Sequence, residues 1–462
     1  MKINVPVNHN YYEEAPIQEL ELGDSFSVRK SATKKVEQLF SPVYELKLVA
    51  AQLKQVKIIN FKGKRFDPDE ERLILKLYSK EKPEGDKEYF IQTGLYAGVL
   101  FHKGCKFNIA PKYGDAFLKR MLNFVNDIYV DTQKVQAKKD DAENQALFII
   151  AYLFIHTLEK AAVLGLPQQY RNNRERSHKV KGRIDFNHYL NRDIPFQGKL
   201  TSSFRERLYV QEIIDILHLA LRKLESVFGK DINGHLLGLT QLLKQEYSGR
   251  FVTHETIQKA KRHQAIQNPM YSGFKRVLEY AEIILQDKDL MPDSDHQNLS
   301  TTGYLFDISE LFELYLEKLL IRKFPEWIVN GQEQIATYQK QFYHRSMFPD
   351  LVMKHRETGK VAVFDAKFKK MNFDRRDVDR SDFHQIHSYS GFYQNVLMAS
   401  GLIYPLSEEC NIEKAHSTSL YGSGDNEINF IIDGIYVSEG HSMKQVIENE
   451  NAFLERVSNT VR

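Results

Sequence analysis

Two short segments near residue 350 carry side chains suited to phosphodiester chemistry. The first is Pro349-Asp350, and the second is an apolar run that ends in Asp365-Ala366-Lys367. Hydrolysis of a phosphodiester needs carboxylates that hold divalent metal ions, and a positive group that orients water and offsets the developing charge. Because alternate residues of a strand share one face, Asp365 and Lys367 are predicted to project together. The competing interpretation is a turn aspartate and an ordinary strand-end ion pair.

The elements around these residues are predicted to bring them together. Residues 361–364 are wholly apolar, which is typical of a strand buried on both faces. Residues 357–360 read Glu-Thr-Gly-Lys and predict a hairpin turn back to residues 351–353. We therefore expect Asp350 beside Asp365, on the neighbouring antiparallel strand.

A helix predicted after the Asp-x-Lys strand carries Gln385 and Tyr389, which share one helical face because they are four residues apart. The Pro-Asp and Asp-x-Lys segments resemble the PD-(D/E)xK nuclease superfamily, and the Gln-x-x-x-Tyr spacing resembles a companion motif of its RecB-like branch. The resemblance implies Mg²⁺ or Mn²⁺ as cofactor. It also implies catalytic roles for Asp350, Asp365, Lys367, Gln385 and Tyr389.

Many enzymes of this superfamily add an acidic residue from the helix that precedes the sheet. That helix offers Glu310, Glu313 and Glu317 here. On a helical wheel Glu310 and Glu317 are predicted on the solvent side, whereas Glu313 falls at the margin of the apolar stripe. Glu313 is therefore the candidate for a third catalytic carboxylate and metal ligand beside Asp350 and Asp365. The alternative is a helix-surface glutamate.

Composition is that of a globular protein of two or three domains, with 462 residues, 42% hydrophobic and 27% charged. Cys105 and Cys410 are the only cysteines, which favours neither a zinc site nor a disulfide framework and predicts a cytoplasmic protein. The longest apolar run, residues 146–155, has about half of the ~20 residues that span a bilayer, so it predicts a buried core helix and no membrane contact. The start shows no signal-peptide pattern.

The net charge of +3 is small, but its distribution is uneven. A basic segment between residues 170 and 183 suits a DNA phosphate backbone, with a solvated charged loop as the alternative. Farther along, aspartates and arginines alternate between residues 374 and 382 and predict a solvated loop or a rim that faces DNA. The basic segment consists of Arg171, Arg174, Arg176, Lys179, Lys181 and Arg183, against a single Glu175.

The pattern of elements predicts an α+β multidomain chain. Residues 1–130 are predicted as a β-rich N-terminal region suited to partner docking, and residues 131–290 as a mostly helical region with the basic segment. A polar linker at residues 287–295 leads to residues 300–462, predicted as a PD-(D/E)xK restriction-endonuclease-like α/β domain with a mixed central sheet. Helices are predicted over residues 114–130, 143–164, 205–228, 235–247, 255–264, 272–286 and 308–324, with a last helix from about residue 442.

The whole arrangement resembles the McrC family, the nuclease subunits of McrBC-type modification-dependent restriction systems, over about residues 90–405. Upstream, Ile109-Ala110-Pro111-Lys112 followed by Met121-Leu122 resembles the family's Pro-Lys segment, and Gly182-Arg183-Ile184 resembles its Gly-Arg-Ile element. The catalytic end matches in Leu311-Phe312-Glu313, Pro349-Asp350, Asp365-Ala366-Lys367, and Asp382 with Gln385 and Tyr389.

The resemblance implies a partner and a substrate. McrC-like chains work with a hexameric McrB-like AAA+ GTPase, into which their N-terminal half docks, and they cut modified double-stranded DNA. That fits the absence of a GxxxxGK[ST] motif from this sequence. Two other functions compete: a stand-alone RecB-like repair or processing nuclease, and a non-catalytic DNA-binding assembly subunit. The intact Asp350, Asp365 and Lys367 argue against the latter.

Overall fold

The computed structural model of the chain describes residues 2–10, 15–17, 36–48, 56–59, 61, 72–83, 85–126, 142–229, 232, 234, 236–286, 301–331, 333–336, 346–371, 378–411, 415–417 and 428–461. The predicted linker at residues 287–295 lies outside these ranges, as does the first part of the charged stretch, residues 374–377.

The strands and helices follow in chain order. The strands are β1 (Lys2–Pro6), β2 (Tyr44–Lys47), β3 (Val56–Ile59), β4 (Leu73–Glu81), β5 (Lys87–Thr93), β6 (Tyr96–His102), β7 (Cys105–Ala110), β8 (Gln168–Ser177), β9 (Arg183–Ile184), β10 (Leu200–Tyr209), β11 (Thr302–Asp307), β12 (Trp327–Gly331), β13 (Ile335–Ala336), β14 (Ser346–Met347), β15 (Leu351–His355), β16 (Val361–Ala366), β17 (Leu397–Leu406), β18 (His416–Ser417) and β19 (Asn429–Tyr436). The helices are α1 (Gly114–Asn126), α2 (Ala142–Ala162), α3 (Phe186–Arg192), α4 (Gln211–Phe228), α5 (Leu237–Glu246), α6 (His254–Arg262), α7 (Phe274–Gln286), α8 (Ile308–Lys323), α9 (Arg380–Phe392) and α10 (Met443–Thr460).

The chain divides into two compact units. The first contains Met1–Val130, Asp140–Ala146 and Leu290–Arg462, and the second contains Asp131–Lys139 and Leu147–Asp289. The sequence placed residues 1–130 and 300–462 in separate domains, whereas the structure joins both in the first unit. The predicted boundary near residue 290 coincides with the end of the second unit.

A five-stranded sheet explains why the two ends of the chain share one unit. Its strand order is β1-β7-β6-β11-β3, so β11 lies between two strands from the first 110 residues. Gly98 of β6 and Gly303 of β11 allow the two backbones to approach closely. A Cβ on Gly98 would lie 2.2 Å from the Tyr304 carbonyl oxygen, and one on Gly303 would lie 2.2 Å from that of Val99. The residues after 300 therefore complete the N-terminal sheet.

The second large sheet of the first unit is the mixed sheet expected toward the C-terminus. Its order is β12-β15-β16-β17-β19-β18. The β15 and β16 strands form an antiparallel hairpin, while β16, β17 and β19 run parallel to one another. Every residue of β16 is buried, as the apolar run predicted. Helix α9 packs on β16 and β17, and helix α10 packs on β19.

Helix α8 is buried on more sides than its sequence suggests. Glu310 was predicted to face solvent, but it is almost fully buried and its Oε2 accepts a 2.9 Å hydrogen bond from the Phe61 N–H. Glu317 was predicted likewise, but its Oε1 accepts from the Gly331 N–H at 3.0 Å. A helical wheel assumes one covered face, whereas α8 packs on α1, β12 and β16. The wheel prediction was therefore wrong for Glu310, whereas Glu317 is half-buried.

A buried polar network joins helices α1, α8 and α10. Arg120 donates two hydrogen bonds to Glu450, from Nε to Oε2 at 2.8 Å and from Nη2 to Oε1 at 2.7 Å. The Tyr315 hydroxyl donates to the same Oε2 at 2.6 Å. Because all three side chains are buried, each charge or dipole has its partner inside the protein. This network ties a helix near residue 120 to the last helix of the chain.

The second unit combines helices α4 to α7 with a three-stranded sheet, ordered β8-β10-β9. The sequence predicted a helix from residue 205, but residues up to Tyr209 belong to β10, and α4 begins at Gln211. Strand β10 pairs with β8 over ten residues, and this distant pairing outweighs local helix propensity. Residues 147–155 of α2 are buried, as predicted for a core helix. No helix in the described part of the chain is long and apolar enough to cross a bilayer.

The Arg120 network is expected to stabilise the first unit strongly. Arg120→Ala should lower the free energy of unfolding by about 3–5 kcal/mol, because it leaves the buried Glu450 carboxylate unpaired. Denaturant unfolding of the full chain, followed by circular dichroism, measures the loss. The exposed pair of Lys444 and Glu448, 3.6 Å apart, provides the control. Lys444→Ala should change the free energy by less than about 1 kcal/mol, and equal losses from the two variants would contradict the expectation.

Candidate active site

The β15–β16 hairpin places Asp350 beside Asp365. Its turn closes through hydrogen bonds from the His355 N–H to the Lys360 oxygen at 2.9 Å and from the Gly359 N–H to the His355 oxygen at 3.1 Å. Gly359 has a φ of +65°, which glycine adopts without strain. Asp350 directly precedes β15, and its Oδ2 accepts a 3.0 Å hydrogen bond from the N–H of Ala366, the residue after Asp365. The predicted hairpin is confirmed.

Asp365 is a fully buried carboxylate at the end of β16. Neither of its oxygens accepts a hydrogen bond of ordinary geometry from the described residues, although Lys367 Nζ lies 2.7 Å from Oδ2. Burial raises the pKa of Asp365 because it disfavours the charged form. The Lys367 ammonium lowers this pKa in part, and the Asp382 carboxylate raises it further. The arrangement leaves carboxylate oxygens that can accept a cation.

Lys367 is held by a chain of hydrogen bonds that ends in the Gln-x-x-x-Tyr motif. Its Nζ donates to Gln385 Oε1 at 2.9 Å, and Gln385 Nε2 donates to the Tyr389 hydroxyl at 2.8 Å. The Tyr389 hydroxyl in turn lies 3.4 Å from the Phe348 carbonyl oxygen. Burial works against the charge on Lys367, but the Asp365 and Asp350 carboxylates outweigh it and raise its pKa above the usual value. Lys367 is therefore a fixed cation.

A second ion pair, which the sequence did not predict, lies next to the first. From its charged surroundings Asp382 was expected in a solvated loop or a rim that faces DNA, but it is almost fully buried and forms an ion pair with Lys369. Lys369 Nζ also lies 3.4 Å from Asp379, the residue that caps α9. Asp382, Gln385 and Tyr389 have the spacing of one helical face. The family resemblance had grouped Asp382 with Gln385 and Tyr389, in agreement with this spacing.

Two of the three carboxylates predicted to bind a divalent cation, Asp350 and Asp365, lie next to each other in the structure. Glu313 is buried on α8, but the part of the chain that the structure describes contains no group of three or more His, Cys, Asp or Glu side chains arranged to hold a metal ion. Glu313 is thus not brought together with Asp350 and Asp365 as a three-carboxylate ligand set. Asp350 and Asp365 alone fit Mg²⁺, which is often held by one or two carboxylates and keeps several waters.

The Pro-Lys segment lies against the end of the Asp-x-Lys segment. Lys112 Nζ donates to the Asn8 carbonyl oxygen at 3.2 Å. The Tyr113 ring packs edge-on against Phe368, with 5.5 Å between ring centroids, and Phe368 packs on Phe312 of α8 at 5.5 Å. These contacts bring a segment near residue 112 to the residue that follows Lys367.

The basic segment belongs to the second unit, where its arginines lie in β8 and at the start of β9, and Lys179 and Lys181 lie in the connection between these strands. Half of its cations are paired within this unit. Arg174 pairs with Asp185, Arg176 Nε lies 2.8 Å from Asp193 Oδ1, and Lys181 Nζ lies 2.9 Å from Glu175. All six cations are exposed, and Arg171, Lys179 and Arg183 form no ion pair among the described residues.

The family model for the McrBC 5-methylcytosine restriction system component matches residues 91–405, well over half of the chain. The chain belongs to this family. The matched range includes every candidate site residue of this McrBC-family chain, from Arg171 to Tyr389, so the resemblance inferred from the motifs is confirmed.

One solved structure of an McrBC assembly shares the fold of this chain. One is a chain from a refined half-complex of the tetradecameric assembly of Thermococcus gammatolerans McrB AAA+ hexamers with bound McrC. It is 14% identical, with 99% of this chain and 100% of that chain covered, at a TM-score of 0.57. A second, from the cryo-EM structure of the T. gammatolerans McrBC complex, is 15% identical, covers 70% and 88% of the two chains, and has a TM-score of 0.36. No curated protein matches this McrBC-family chain.

The two charges nearest Asp365 are expected to move its pKa in opposite directions. Asp382→Asn should lower the pKa of Asp365, since a nearby negative charge disfavours ionisation. Lys367→Met should raise it, since the ammonium favours the carboxylate. Carboxyl carbon chemical shifts of labelled aspartate in the metal-free chain, followed as the pH falls, measure both. Shifts of the same sign in the two variants would contradict this account of the site.

Two arginines of the basic segment are expected to differ in their contribution to stability. Arg176→Ala should lower the thermal midpoint of the second unit, because it leaves the buried Asp193 without its guanidinium partner. Arg171→Ala removes the same charge from an exposed position and should leave the midpoint unchanged. Differential scanning calorimetry of both full-length variants makes the comparison. A destabilised Arg171→Ala protein would show that β8 depends on arginine contacts in general.

Proposed function

We propose that this chain is the DNA-cleaving subunit of a McrBC-type restriction complex and hydrolyses phosphodiesters with a divalent metal. The observation that carries the proposal is the buried Asp365 carboxylate, which lies beside Asp350 and has its Oδ2 2.7 Å from the Lys367 ammonium, with no hydrogen bond of ordinary geometry to its oxygens among the described residues. Burying a carboxylate of this kind lowers the stability of the fold, and buried ionisable groups with perturbed pKa values cluster at functional sites, so its presence favours such a site. Membership of the McrBC family favours DNA cleavage within a restriction system as the function of this site.

The chemistry divides among the residues as follows. Asp350 and Asp365 would hold the ion, which when bound supplies positive charge to the phosphate and lowers the pKa of a bound water. Lys367 remains protonated, so it suits charge stabilisation and water orientation instead of proton abstraction. Gln385 fixes the direction of the Lys367 ammonium through its Oε1, and Tyr389 fixes Gln385. These two residues therefore act as positioning groups.

A partner supplies what this chain lacks. No P-loop motif occurs in the sequence, which fits a division of labour in which another protein supplies NTP-driven movement along DNA. The similar solved structure contains McrB AAA+ hexamers with bound McrC. We infer that an McrB-like AAA+ GTPase hexamer is the partner and that modified double-stranded DNA is the substrate. The exposed cations of the basic segment, Arg171, Lys179 and Arg183 above all, are suited to contact the DNA backbone.

Loss of any one central residue is expected to abolish cleavage. Asp350→Ala, Asp365→Ala and Lys367→Ala should each lower the cleavage rate by at least about 10²–10³-fold. The Asp350/Asp365 double variant should be little worse than either single one, because the residues act as a unit. The assay uses methylated plasmid, Mg²⁺, GTP and the AAA+ partner. Asp86→Ala and Lys87→Ala, at exposed positions, are charge-matched controls that should cleave normally.

The same proteins separate the competing functions. Asp365→Ala should still bind the AAA+ partner and stimulate its GTP hydrolysis, because the substitution leaves the rest of the chain intact. Wild-type cleavage that proceeds equally fast without the partner would favour the stand-alone nuclease. Stimulation of the partner with no cleavage by the wild type, in Mg²⁺ or Mn²⁺, would favour the assembly subunit. Either result would overturn the proposal.

A further inference from the structure

Two lysines from distant parts of the sequence, Lys112 and Lys370, lie on segments that contact each other beside the candidate active site. Lys112 belongs to the turn at residues 111–114, and Lys370 follows Lys367 by three residues. The Tyr113 ring packs against Phe368, so the turn and the segment after Asp-x-Lys are in direct contact. Both lysines lie in the first unit, where Phe368 also packs on Phe312 of helix α8.

The turn that carries Lys112 is closely fixed. Tyr113 has a φ of +75° and Gly114 a φ of +82°, both in the left-handed region. A Cβ on Gly114 would lie 2.8 Å from the Cα of Glu439, so the backbone there is packed against the segment that precedes α10. Lys112 Nζ also donates to the Asn8 oxygen at 3.2 Å. The fold thus holds this ammonium group in place and does not leave it on a mobile surface chain.

The two lysines lack the carboxylate partners that their neighbours have. Lys367 pairs with Asp365 and Lys369 with Asp382, whereas neither Lys112 nor Lys370 forms an ion pair among the described residues. Burial lowers the pKa of Lys112, and the positive charge of Lys370 lowers it further. Like charges on neighbouring segments repel each other, and an anion bound between them would relieve that repulsion.

The candidate site carries an excess of negative charge, which additional cations nearby would offset. Asp350, Asp365 and Asp382 are three carboxylates, against the two ammonium groups of Lys367 and Lys369. This excess of negative charge attracts a metal ion but repels the phosphates of DNA. Additional cations beside the site would offset that repulsion.

We propose that Lys112 and Lys370 together bind a backbone phosphate of the DNA strand that enters the candidate active site. This inference rests on the proposed function, because it assigns the substrate contact of that same site. The ligand is a phosphodiester anion, held by two ammonium groups that carry no base information. The pair therefore positions DNA of any sequence next to Lys367, and recognition of the modification lies elsewhere.

The test measures binding of a short duplex to the full chain as a function of salt, by fluorescence anisotropy. All proteins carry Asp365→Asn, so that no cleavage occurs. Lys112→Gln and Lys370→Gln should each weaken binding severalfold and flatten the log–log salt dependence by up to about 0.9. The double variant should flatten it by about 0.9 and not by twice that amount, because both lysines hold one phosphate. Lys87→Gln, which removes the same charge from an exposed position of β5, should bind normally.

Controls separate the possible failures. Lys112→Arg keeps the charge and should restore the salt slope, which loss of folding would not permit. Salt slopes equal to that of Lys87→Gln would overturn the phosphate site even if the wild type cleaves DNA. If the lysine variants have flattened salt slopes but the wild-type chain never cleaves DNA, the phosphate site stands and the proposed nuclease activity is refuted. If the lysine variants lose the AAA+ partner and keep DNA, the pair is a protein contact and the inference is wrong.

Discussion

The pairing of β11 with β6 is the constraint on which the first unit depends. Strand β11 ends at Asp307, whose Oδ1 accepts hydrogen bonds from the N–H groups of Ser309 and Glu310 and so starts helix α8. Helix α8 then packs Phe312 against Phe368, next to the candidate site. A single strand register therefore determines where the N-terminal sheet lies relative to the candidate site carboxylates Asp350 and Asp365. The N-terminal region is therefore part of the scaffold that positions the candidate site.

The candidate site was predictable from the sequence where its geometry is local. The β15–β16 hairpin follows from a turn with a required glycine and an apolar strand, and the contact between Gln385 and Tyr389 follows from helical spacing. Asp365 and Lys367 meet because a strand repeats every two residues. Each of these relations spans fewer than about twenty residues. Periodicity and turn chemistry were enough to fix them.

The remaining features depend on partners far away in the sequence. The Glu310 carboxylate accepts a hydrogen bond from the backbone of Phe61, about 250 residues away in the sequence, and a helical wheel cannot predict such a contact. Residues 205–209 form a strand because β8 lies beside them. The Tyr113 contact with Phe368 joins segments about 250 residues apart. Local propensity was correct at most helices and wrong where a distant strand or side chain decided the outcome.

The insertion of the second unit within the first has a consequence for synthesis on the ribosome. Residues up to Asp289 complete the second unit, whereas the five-stranded sheet of the first lacks β11 until Asp307 has emerged. The edge of β6 that receives β11 is therefore unpaired while the whole of the second unit is made. Exposed strand edges invite pairing with other chains. In the nascent protein this edge of β6 stays exposed until β11 is synthesised. We therefore expect the yield of folded protein in a cell to depend on how well that edge is shielded.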